Sequence, residues 1–185
     1  MSTGRIQKLK ENYNVDLQWS YFPLHPETPQ EGRSLKDLFG SSDADIAAKN
    51  ERMKNLMEEE GLPYGKRSMT YNSRLAQELS KWSDSQPDGQ RIHAGLYRAY
   101  FVEGKNIGEI EELLHITEKA ELPVEEAREV LEKRRLREAV DLDWGKARQM
   151  GVTGVPTFAA GQYMVVGAQP YDVLEQLVQS AQKNS

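Results

Sequence analysis

From Val15 to Tyr21 the chain alternates, with Val15, Leu17, Trp19 and Tyr21 on one side and Asp16, Gln18 and Ser20 on the other, which is the period of a half-buried strand. Before it, Gly4 to Tyr13 is polar with Ile6 and Leu9 at helical spacing, so a short helix leads into the strand. Pro23, Pro26 and Pro29 then forbid helix and favour an extended loop. From that loop to about Gly151 the apolar positions recur at helical intervals almost without a break. Ser42 or Asp43 caps a helix that keeps Ile46, Met53, Leu56 and Met57 inward and stops at Gly61. Leu75, Leu79 and Trp82 mark the next, over Ser73 to Trp82, and Ile92, Leu96, Ala99 and Tyr100 mark one over Asp88 to Val102. Ile110, Leu113, Leu114 and Thr117 follow, then a helix opening at Pro123, then one from Leu136 to Met150. After Gly151 the texture becomes β-branched: two short strands with a tight turn at Gly161, and an amphipathic helix carrying Val173, Leu174, Leu177 and Val178.

The order helix, strand, helical block, strand, strand, helix describes one α/β domain carrying an all-helical insertion. The expected divisions are residues 1–40, 41–150 and 151–185, the first and last forming one domain. With 185 residues there is room for this and not for two large domains. Lys plus Arg number 24 against 29 Asp plus Glu, a net charge of −5, and no basic patch suggests nucleic acid as a partner. No apolar run reaches the length of a membrane span and the polar start has no signal-peptide core, so neither a membrane nor export is expected and the cytosol is the expected location. Cysteine is absent, which excludes disulfides, thiolate metal sites and a cysteine nucleophile within these residues.

Candidate chemistry is sparse. His25, His93 and His115 stand far apart and fit no metal-ligand spacing, so neither metal nor cofactor is expected. His25 differs in sitting in the proline-bounded loop at the end of the expected strand, where it either faces a cleft or caps backbone groups. The glutamate clusters at 58–60, 109–112 and 125–126 read as solvated helix faces, and no nucleotide loop or hydrolase elbow occurs. The most specific segment is Gly151-Val-Thr-Gly-Val-Pro-Thr-Phe158. Pro156 gives no N–H to a ladder, and the residues alone allow either a cis Val155-Pro156 bond that frees the Val155 backbone or an ordinary trans turn.

GVTGVPTF followed by a hairpin and VVGAQPYDVLEQLV resembles the C-terminal half of the DsbA-like thioredoxin-fold family, and its FrnE-type cytosolic branch most of all. LQWSYFPLHPETPQEG is similar to that branch's second strand and proline-rich loop, and GLYRAYFVEGKNIG to part of its helical insertion. The resemblance implies a thioredoxin fold interrupted by a helical domain, a cis-proline at Pro156, and dithiol–disulfide exchange or isomerisation on peptide or small-thiol substrates. It places substrate against Val155, Pro156 and Thr157, with Phe22 and His25 across a shared cleft.

Family members carry a first strand and then C-x-x-C at the start of the first helix; here that motif falls upstream of Ser2, so no catalytic residue lies within the chain. A mis-started or truncated member is therefore expected, with a cysteine or selenocysteine motif upstream. A non-redox peptide- or small-molecule-binding protein on the same fold is the alternative that zero cysteines supports. A glutathione-dependent isomerase resembling 2-hydroxychromene-2-carboxylate isomerase is a third, against which Gly167-Ala168-Gln169-Pro170 argues. Without the first strand, two edges at Val15–Tyr21 and Thr157–Ala159 are left unpaired, and closure of the gap or a homodimer formed by strand addition is expected.

Overall fold

The structure is a computed structural model describing residues 2–183. The chain divides into two compact units, residues 1–24 with 143–185, and residues 25–142.

In the first unit, α1 (Ser2–Asn12) and α9 (Tyr171–Lys183) accompany a hairpin of β3 (Thr157–Ala160) and β4 (Tyr163–Val166). Leu9, Leu174 and Leu177 are buried. Polar contacts tie the two helical segments together: Arg5 Nη1 donates to the Gln169 carbonyl (2.8 Å), Asn12 Nδ2 to the Tyr171 hydroxyl (2.8 Å) and Gln179 Nε2 to the Tyr13 hydroxyl (2.7 Å). Gly161 takes a positive φ of 58° at the first position of the two-residue hairpin loop, where a side chain would be strained.

In the second unit, β1 (Arg33–Ser34) pairs antiparallel with β2 (Met69–Thr70), between which run α2 (Leu35–Phe39) and α3 (Asp43–Glu59). Then come α4 (Arg74–Ser83), α5 (Arg91–Tyr97) continued by a π-helical turn (Arg98–Val102), α6 (Ile110–Lys119), α7 (Val124–Glu132) and α8 (Arg137–Gln149), the last divided between the units. Leu79, Trp82, Ile92, Leu113, Leu114 and Leu131 are buried in one core with Ala76, Ala99, Ile116 and Val130. Each of the large ones contributes about 1.5–3 kcal/mol before conformational entropy is subtracted.

The structure departs from the sequence reading in five places. Residues Val15–Tyr21 are not a strand: a strand exists through its ladder, and among the described residues no strand pairs with them. Their alternation survives only as half-buried Val15 and Leu17 beside exposed Asp16 and Gln18. The expected closure of two strand edges is accordingly not seen, since among the described residues β3 pairs with β4 alone. The boundaries lie at 24/25 and 142/143 rather than 40/41 and 150/151. Backbone bonding explains the shift: Asn72 Nδ2 donates to the Thr28 carbonyl (2.7 Å) and Asn106 Nδ2 to that of Gln30 (3.0 Å), holding the proline-rich loop to the helical unit, whereas Asp143 Oδ2 accepts from the Tyr21 N–H (3.3 Å) in the other. Leu56 is exposed, because α3 turns the stripe Ile46, Asn50, Met53 and Met57 inward and Leu56 lies a residue off it. Finally, the helix expected from Asp88 to Val102 starts at Arg91 and ends in the π turn, where the Phe101 carbonyl accepts from the Gly65 N–H (2.9 Å).

Candidate functional site

Val155, Pro156 and Thr157 form one continuous feature at the mouth of the hairpin. The Val155-Pro156 peptide bond is cis. Thr157 Oγ1 donates to the Gly154 carbonyl (2.7 Å), closing the turn from Gly154 into the strand, and the Gly167 N–H donates to the Pro156 carbonyl (2.7 Å). This last bond sets the parity of the ladder. With Thr157 opposite Val166, the hydrogen-bonded pairs are Pro156/Gly167, Phe158/Val165 and Ala160/Tyr163. The backbone N–H and C=O groups of Thr157 and Ala159 therefore point away from β4 along the outer edge of β3. Among the described residues no strand pairs with that edge.

The side chains divide by the same two-residue period. Tyr163 and Val165, with Phe158 and Ala160 across the ladder, are half-buried, and Tyr163 and Val165 line a small cleft of about 200 Å³ with Val173 and Leu177 of α9. Ala159, Met164 and Val166 belong to the opposite face and are exposed, Val166 by 44%. Val155, also exposed at 47%, adds to this apolar surface. No charged residue occurs between Arg148 and Asp172. The site is thus an uncharged strand edge with an apolar face, suited to main-chain pairing with an extended segment and not to proton transfer.

Phe22 is half-buried in the irregular segment after α1, within the same unit. His25 belongs to the other unit, where its Nδ1 lies 3.5 Å from Glu27 Oε1. The remaining histidines also sit beside carboxylates, His93 by Asp84 (3.4 Å) and His115 by Glu118 (3.7 Å). Among the described residues no group of three or more His, Asp or Glu is arranged to hold a metal ion, and no helix is long and apolar enough to cross a membrane. Gly167 and the exposed pair Met164 and Val166 escaped the sequence reading of the site; the alternation of Tyr163 to Val166 was the signal that carried them.

A search of curated proteins gives no match. Among solved structures the chain is similar to a probable DsbA oxidoreductase from Streptomyces coelicolor, with a TM-score of 0.87 at 25% identity over 100% of this chain and 84% of that one. It is also similar in fold to a 2-hydroxychromene-2-carboxylate isomerase, with a TM-score of 0.66 at 22% identity over 97% of this chain and 86% of that one. The family model of the DSBA-like thioredoxin domain matches residues 2–179, so nearly the whole chain, hairpin site and helical unit alike, belongs to that family.

Proposed function

We propose that the chain is a cytosolic, FrnE-type member of its family that holds an extended peptide or a small-thiol substrate along the outer edge of β3 for dithiol–disulfide exchange or isomerisation. The observation that carries this is the unpaired, uncharged β3 edge beginning at exposed Val155. Val155, Pro156 and Thr157 make the contact, with Phe22 of the same unit as a further substrate contact. In exchange, a thiolate attacks one sulfur of a disulfide, a new S–S bond forms, and the other sulfur leaves as thiolate. The chain contains no cysteine, so the reacting sulfurs come from outside these 185 residues. The same absence favours a second reading, a binding protein that keeps the edge and performs no exchange.

Titration of an uncharged extended peptide into the isotope-labelled chain tests the placement. Saturable amide shifts at Val155, Thr157 and Ala159 are expected; shifts confined to residues 25–142 would overturn it. Comparing a cysteine-containing peptide, free or as a mixed disulfide, with its serine analogue separates the readings. Equal affinity for all of them favours the binding protein.

A further inference from the structure

With no cysteine present, six methionines supply all the sulfur of the chain. A thioether cannot exchange with a disulfide, but a peroxide oxidises it to a sulfoxide where it is accessible. Burial sorts these residues. Met57 is buried, Met53 and Met69 are half-buried, and Met150 and Met164 are exposed by 42% and 38%. Met150 follows α8, so of the exposed pair only Met164 lies in the hairpin that forms the site.

The ladder fixes what Met164 stands beside. Its partner is Ala159, and the bonded pairs 158/165 and 160/163 flank it, so Ala159 and Met164 form a pair without mutual hydrogen bonds. In such a pair the Cα atoms are about 4.5 Å apart and the side chains at their closest. Ala159 sets one methyl group against the long methionine chain. An extended segment added to the outer edge of β3 stands about 4.8 Å beyond Ala159, and across that low methyl its own side chain meets Met164. Exposed Val155 and Val166 continue the apolar surface, and β3 and β4 contain no cation to pair with a new acceptor oxygen.

We propose that Met164 is an oxidation site that governs docking: its sulfoxide places a polar S–O group in the apolar face and weakens the hold on an extended peptide. This rests on the reading of the β3 edge given above. With hydrogen peroxide, a sulfur lone pair attacks one oxygen, the O–O bond breaks as the S–O bond forms, and the second oxygen leaves as water with both protons. Sulfur loses two electrons and the peroxide gains them. The product is polar and must be desolvated when a strand docks over it, and sulfoxide reductases restore the thioether.

The test treats the full chain with hydrogen peroxide, maps each methionine by peptide mass spectrometry, and titrates an uncharged extended peptide before and after, read by amide shifts at Thr157 and Ala159. Met164 should oxidise about fivefold faster than Met57, and peptide affinity should then fall about fivefold. In Met164→Leu the affinity, whatever its starting value, should be unchanged by peroxide, whereas Met150→Leu should lose affinity as the wild type does. Met164→Gln, polar and of similar length, should bind as weakly as the oxidised chain without any treatment. Slow oxidation of Met164, an equal loss in Met164→Leu, or an oxidised chain that no longer melts cooperatively would each overturn the proposal. Peptide binding that survives oxidation of Met164 overturns it alone, while an untreated chain that binds no peptide overturns it together with the reading on which it rests.

Discussion

Glu78 is a carboxylate with no solvent exposure, and it is held by three donors: Arg74 Nε on Oε1 (2.7 Å), and Arg134 with Nη2 on Oε1 (2.7 Å) and Nε on Oε2 (2.8 Å). Burial alone would raise its pKa, but the bonds and charges of Arg134 and Arg74 outweigh it and hold the carboxyl below the ordinary value near 4.5. Asp141, exposed beside Arg74 (2.7 Å), is lowered by that bond in the same way. Arg134 itself has φ 51°, a left-handed position that glycine usually takes after a helix, and its fork on Glu78 holds it there. A depressed folded pKa means stability that is complete above the unfolded value and lost as pH falls through the folded one. We predict that unfolding free energy falls more steeply below about pH 4.5 in the wild type than in Glu78→Gln, as read from urea melts at a series of pH values. Glu78→Ala strands two guanidinium groups and should cost about 3 kcal/mol, the lower end for a broken buried pair because Arg134 is partly exposed. Equal acid slopes for wild type and Glu78→Gln would refute the assignment.

At the scale of elements, the π turn depends on a glycine that no helical periodicity marks. A Cβ on Gly65 would lie 2.1 Å from the Val102 carbonyl oxygen, so only a bare backbone comes close enough for the Gly65 N–H to bond Phe101. Gly65→Ala should therefore push the loop before β2 off the turn and destabilise the protein by about 1–3 kcal/mol, measurable as a lowered denaturation midpoint. Faster amide exchange at residue 65 would accompany it, and a midpoint unchanged within error would show that the loop moves freely. The same scale shows why some elements were legible and others were not. α4 and α6 carry apolar stripes, and their inward residues Leu79 and Leu113 were read directly. β1 and β2 are two residues each, too short for any period, and form because Asn72 and Asn106 pin the preceding loop.

For the whole molecule, the two units differ in how completely they cover themselves. Residues 25–142 enclose the main core, so this segment expressed alone should unfold in a single cooperative transition; a non-cooperative melt would show that it needs the rest of the chain. The other unit exposes Trp19, Met150, Val155, Met164 and Val166, and its strand β3 carries no charge or interior proline to block pairing. We propose that copies of the chain also pair, dependent on concentration, through the same β3 edge and that an extended peptide displaces the pairing, which light scattering after size exclusion with and without peptide checks. A monomer at all concentrations would remove strand addition between copies. In an insulin-reduction assay with dithiothreitol the purified chain should not exceed the uncatalysed rate, since a thioether cannot exchange.

The division between sequence and structure follows the range of the interactions. Helical stripes and the hairpin around Gly161 depend on residues within a few positions of one another, and the sequence by itself determined them; the choice of Ser42 over Asp43 as cap and of cis over trans at Val155-Pro156 was decided by the structure. The absence of cysteine, and with it the absence of dithiol chemistry in these residues, is likewise a fact of composition. Pairing is not local. Alternation at Val15 to Tyr21 describes a segment able to be a strand, but only a paired strand makes it one, and the tertiary structure provides no such ladder among the described residues. The passage of the proline-rich loop into the helical unit and the charge cluster at Glu78 join residues tens of positions apart. Their geometry was decided only when the folded backbone brought those positions together.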